Sequence, residues 1–197
     1  GHVDLRGHNG ELGTLLLDPD DILITATGDA NLEGDVLFDG DAQKWTGVDG
    51  AGDESSTGTG NEVSATAITN ALGVAAVELQ ATTSIEVEAG EDIITTNTGA
   101  LTLTAGTSID IDSQIVINGA LNLNATGAIT IKAAIDLSGG SGAFTSTGTD
   151  FDSIAAGTLT TGTGDVNINN TGAITIAGDI TTTTGDIDID NGTSIDV

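Results

Sequence analysis

The chain has 197 residues and carries 30 acidic residues against three basic ones, a formal net charge of −27. Phosphate backbones and anionic lipid surfaces repel such a chain, so neither nucleic acid nor a membrane interior is expected among its partners. There is no cysteine, hence no disulfide and no thiolate metal site, and no apolar run approaches the roughly 20 residues that span a bilayer.

Three Phe, one Trp and no Tyr or Met leave the core to aliphatic side chains, so that core must be narrow. Residues 1–38 read as irregular coils of short strands: Val3 and Leu5, Leu15 to Leu17, Ile22 and Ile24, Leu32, and Val36 with Phe38, parted by Gly and Asp turns. Residues 39–60 have no strand period and concentrate Gly, Asp and Ser, which predicts a projecting loop. Trp45 lies in that loop, the one large aromatic outside a strand pattern, and is the candidate partner contact. Asn61 to Ala76 is rich in alanine, with Ile68 and Leu72 four apart, so a short helix packed on the coil edge is expected to complete a 39–76 insertion.

From residue 77 to 197 the pattern becomes regular. GALTLTAGTSIDI starts at Gly99, GALNLNATGAITI at Gly119, the degraded GAFTSTGTDFDSI at Gly142, GDVNINNTGAITI at Gly164 and GDIDIDNGTSIDV at Gly185. VELQATTSIEV, from Val77, is a further copy without its glycine. A third apolar segment follows each pair of strands: Ile93 and Ile94, Ile115 to Ile117, Ile135 to Leu137, Leu159, and Ile180. Three strands in about 20 to 23 residues cannot bury an apolar face alone, but stacked units can. The expected fold is an all-β, right-handed parallel β-helix, the hand following that of parallel crossovers. Six coils about 4.8 Å apart make a rod on the order of 30 Å long. Glycine is expected to supply the corners.

The opening GHVDLRGHNGELGTLLLDPDDILIT, the Val-Ser-Ala-Thr-x-Ile-x-x-x-Leu segment from Val63 and then VELQATTSIEV resemble the large filamentous-haemagglutinin-type exoproteins of the two-partner secretion route. Residues 13–22 are the most specific part, and residues 1 to about 88 carry the resemblance; the later coils share only period and composition. It implies a right-handed β-helical fibre, secreted or held on the outer surface of a Gram-negative-type bacterium, often adhesive and without catalysis in its shaft. The Asn-Pro-Asn type of motif of the amino-terminal secretion domain is not present, so an internal segment is expected. Its partners would then be neighbouring coils of a longer parent, or head-to-tail copies of itself in a filament, and host or cell-surface glycans.

Some β-helices are polysaccharide lyases or hydrolases, and a basic partner for such chemistry must come from Arg6, Lys44, Lys132, His2 or His8. Lys132 aligns one coil from Asp112 at the same outward position, which predicts an ion pair rather than a reacting group. Asp110 and Asp112 read as the wet face of a strand, and His2 and His8 have no third ligand nearby for zinc. Hard oxygen ligands cluster at Asp18, Asp20 and Asp21, at Asp39 and Asp41, and at Asp49, Asp53 and Glu54. These are the calcium candidates, set against a reading with no cofactor and a solvated acidic surface. Thr102, Thr104, Thr145 and Thr147 suggest ice-binding ladders, but the aligned Asn122, Asn124, Asn167, Asn169, Asp188 and Asp190 make the ladder mixed. Sequons at Asn124, Asn169 and Asn191 fall at the rate of chance. The sequence thus points to a non-enzymatic shaft or adhesive segment of an exported fibre, with a carbohydrate-active enzyme or a calcium-stabilised surface-layer component as the alternatives.

Overall fold

Period-two alternation, glycine at fixed intervals and β-branched inward residues build a right-handed parallel β-helix of about five turns in the computed structural model. The structure describes residues 14–17, 21–29, 61–191 and 193–196. Each full coil contributes one strand to each of three sheets. β1 (Thr14–Leu17) and β2 (Ile22–Asp29) form the first described coil, and β3 (Asn61–Val63) and α1 (Ala65–Leu72) follow. The complete coils are β4–β6 (Ala76–Ala81, Ser84–Val87, Ile93–Ile94), β7–β9 (Leu101–Ala105, Ser108–Ile111, Ile115–Val116) and β10–β12 (Leu121–Ala125, Ile129–Ile131, Ile135–Leu137). They continue through β13–β15 (Phe144–Gly148, Phe151–Ser153, Leu159–Thr161) and β16–β18 (Val166–Asn170, Ala173–Ile176, Ile180–Thr182) to β19 (Ile187–Asn191) and β20 (Ser194–Asp196).

The first sheet has seven strands in the order β1-β4-β7-β10-β13-β16-β19, the second eight in the order β20-β17-β14-β11-β8-β5-β2-β3, and the third five in the order β18-β15-β12-β9-β6. All pairings are parallel and identical positions stack. Val77, Leu101, Leu121, Phe144, Val166 and Ile187 form one column, and Ile22, Ile85, Ile109, Ile129, Phe151, Ile174 and Ile195 another. A one-residue slip would turn each aliphatic column to water, so burial fixes the register.

Within the stretch 1–38, expected to be irregular, β1 and the first residues of β2 keep the register of the later coils. Leu15 pairs with Val77, Leu17 with Leu79, Ile22 with Ile85 and Ile24 with Val87, in step with the regular coils. Later in β2, between Ile24 and Asp29, its register against β3 shifts. Within 39–76, Asn61–Val63 is a strand paired with β2, too short to show a period. The helix lies inside the expected segment. Ser64 caps it, its Oγ accepting from the Ala67 amide at 3.1 Å, and Ile68 and Leu72 are buried against β2, β4 and β6. β6 is the edge strand of the third sheet, so α1 covers backbone groups that an open edge would expose.

The recurrent glycines lie at the corners between strands, as expected, but what requires glycine there is close packing rather than a left-handed backbone. Among the described glycines Gly90 alone has a positive φ, +94°. Gly99, Gly119, Gly142, Gly164 and Gly185 instead stack into a column of close backbone approaches. A Cβ on Gly119 would lie 2.1 Å from the Gly99 carbonyl oxygen, one on Gly142 1.9 Å from that of Gly119, and one on Gly164 2.1 Å from that of Gly142. Hydrogen is the only side chain that fits.

Candidate functional site

Lys132 follows β11, and its Nζ stands 2.7 Å from Asp112 Oδ1 and 3.6 Å from Asp110 Oδ1, one coil away. The expected inter-coil ion pair is therefore present. Asp112 Oδ1 is closed off from solvent, and the ammonium is its polar contact among the described residues. That close contact raises the Lys132 pKa above its ordinary value. Desolvation opposes the rise, and the charges of Asp112 and Asp110 add to it. A lysine held protonated is poorly suited to removing a proton from a sugar, so the geometry describes a structural pair.

Asp21 is the one calcium candidate among the described residues. Its Oδ1 accepts from the amide and the hydroxyl of Ser84, at 3.0 and 2.8 Å. Asp18, Asp20, Asp39, Asp41, Asp49, Asp53 and Glu54 lie outside the described residues, as do Trp45, Arg6, Lys44, His2 and His8. Among the described residues no three His, Asp or Glu side chains converge in a way that could hold a metal ion.

Asp21 belongs to a set the sequence did not reveal. Asp92 Oδ1 accepts from the Ser113 hydroxyl at 2.6 Å and the Gln114 amide at 3.1 Å, Asp150 Oδ1 from the Ala173 amide at 2.8 Å, and Asp165 Oδ1 from the Asp186 amide at 2.9 Å. Each carboxylate sits at a corner and satisfies a backbone donor of the next coil. The only sequence signal was Asp recurring between strands, which a solvated surface produces equally well.

The outward faces of two sheets differ in charge. On the second sheet Glu86, Asp110, Thr130, Asp152, Thr175 and Asp196 form one column. On the first sheet the four central strands present Thr102 and Thr104, Asn122 and Asn124, Thr145 and Thr147, then Asn167 and Asn169, none of them charged. The expected mixed ladder is present, and Asn122 Nδ2 donates to Thr102 Oγ1 at 3.2 Å. Among the described residues no helix is long and apolar enough to cross a membrane. Comparison with protein-family models, with curated proteins and with solved structures finds no match to this chain.

Proposed function

We propose that this chain is a structural shaft or adhesive segment of a fibre secreted by, or displayed on, a Gram-negative-type bacterium, and that it catalyses no reaction. The observation that carries this reading is the unbroken run of three in-register parallel ladders through five full coils over a largely aliphatic hydrophobic core. Such a solenoid adds length with every coil at a nearly constant cross-section, the property a spacer needs. The resemblance of residues 1 to about 88 to filamentous-haemagglutinin-type exoproteins supports export by the two-partner route. Neighbouring coils, covalent or from another copy, are the proposed axial partners, and cell-surface glycans the proposed ligands. The segment 39–60 with Trp45 is the proposed contact.

Antibodies raised against residues 77–197, applied to intact cells of the source bacterium, test the reading. Surface labelling that protease removes without lysis is the expected outcome. Signal appearing only after permeabilisation would overturn export, and turnover of an acidic polysaccharide by the purified chain would overturn the non-enzymatic assignment.

A further inference from the structure

The solenoid is not uniform along its axis. Leu103, Ile111 and Ile117 of one coil stack beneath Leu123, Ile131 and Leu137 of the next, all buried and all aliphatic. In the following coil those three positions become Ser146, Ser153 and Thr161, equally buried. Phe144 and Phe151, edge to face with ring centroids 6.4 Å apart, replace part of the lost volume. The replacement is incomplete, because a void remains, lined by Ile131, Phe144, Phe151, Ser153, Leu159 and, from the following coil, Ile180. It offers a water's centre only about 10 Å³, at the bottom of what one water requires, and its walls are almost wholly apolar. The Ser153 hydroxyl, 3% exposed, has no hydrogen-bond partner.

The buried Ser146 and Thr161 of this coil bond toward β16–β18, whereas the exposed Thr149 hydroxyl donates to the Thr126 carbonyl of the preceding coil at 2.7 Å. Ser146 Oγ donates to Asn170 Oδ1 at 2.9 Å, Asn170 Nδ2 donates to the Asp150 carbonyl at 3.0 Å, and Asp150 accepts from Ala173. The side chain missing at Gly148 makes this possible, since a Cβ there would meet the Asn170 amide at 2.9 Å. Coil β13–β15 is thus tied to β16–β18 through the buried Ser146–Asn170 bond, its side-chain tie to β10–β12 is the exposed Thr149 hydroxyl, and the void and the orphan hydroxyl arise where Ser153 follows Ile131. The connection entering it is also distinct. Ser138, Gly139, Gly140 and Ser141 separate Leu137 from Gly142, where the preceding coil has only Asn118 between Ile117 and Gly119.

From this asymmetry we infer that the rod has a built-in seam between β10–β12 and β13–β15, where β13–β20 open as one unit while the preceding coils stay folded. In a solenoid, stability is close to a sum of nearest-neighbour terms, so one weak interface suffices to separate two cooperative blocks. Under tension or local denaturation the shaft parts at this place rather than at a random one.

Native-state hydrogen exchange of the whole chain in low urea tests the seam. Amides of β13–β18 are expected to share one opening event at least tenfold more populated than that of β7–β12, with a step at Ser138–Ser141. Ser153→Ile, which removes the orphan hydroxyl and fills the void, is expected to slow the first group about tenfold and leave the second unchanged. A single opening common to both groups, a smooth gradient along the axis, or equal slowing of both by Ser153→Ile would overturn the inference. The wild-type profile decides alone if the variant does not fold.

Discussion

Glycine can serve a chain by its dihedral freedom or by having no Cβ, and here the second use dominates. The column from Gly99 to Gly185 is built of approaches that any Cβ would block, and the 1.9 Å separation at Gly142 is the tightest within it. Gly142→Ala must push two coils apart, and a loss on the order of 1–3 kcal/mol is expected, read as a lowered urea midpoint. Gly90→Ala tests the other use; no atom lies within 4 Å of its Cβ, so any cost there comes from φ alone. Lys132 provides a test of charge. Its pKa is raised on folding, so its contribution is complete below the unfolded value near 10.4 and is lost as pH climbs through the folded value. The lysine side chain is 40% exposed, so solvent keeps the contribution at or below about 1 kcal/mol. Wild type should lose slightly more stability between pH 9 and pH 12 than Lys132→Met does, in paired urea titrations, and parallel losses would refute the coupling.

Strands announce themselves through neighbours, whereas corners depend on partners in other coils. The third strands were legible because Ile93, Ile115, Ile135, Leu159 and Ile180 each follow a pair of strands within four to six positions, and α1 because Ile68 and Leu72 recur at helical spacing. β3 was not legible, since Asn61–Val63 is too short to show a period and its partner lies beyond the segment 39–60. The hydrogen-bonding role of the corner carboxylates was not legible for the same reason. Asp21 bonds to Ser84 63 positions away and Asp92 to Gln114 22 away, separations that mean nothing until the coil is closed. Corner length also varies without disturbing the strands: one residue fewer lies between Gly148 and Phe151 than between Ala125 and Ile129, yet Ile129 still faces Phe151. Asp92→Ala removes acceptors from two donors and should cost about 1–2 kcal/mol. Asp92→Asn keeps an acceptor oxygen and should recover much of that loss; equal destabilisation by both would show that charge, not geometry, is what matters there.

At the scale of the whole molecule, a net charge of −27 suggests strong self-repulsion, but the placement of charges moderates it. On the second sheet Glu86 and Asp110 are adjacent, after which Thr130 separates Asp110 from Asp152 and Thr175 separates Asp152 from Asp196. Unit charges about 5 Å apart interact by roughly 1 kcal/mol in water, and interleaved threonine roughly doubles the spacing. Added sodium chloride should therefore raise the melting temperature only modestly. Thr175→Asp, which joins Asp152 to Asp196 in a continuous acidic column, should lower it at low salt and recover most of the loss at about 0.5 M, where the screening length falls to a few ångströms. A salt-independent loss would assign the effect to packing. The glycine column bears on how such a rod is assembled in the first place. Parallel coils are similar enough that a strand could be laid down two residues out of step and still bury alternate aliphatics. Such a slip would drive a side chain into the carbonyl of the coil beneath, so each glycine acts as a checkpoint that a coil must pass before it can template its successor. Fidelity of growth is thereby written into the one residue of the repeat that has no side chain to lose.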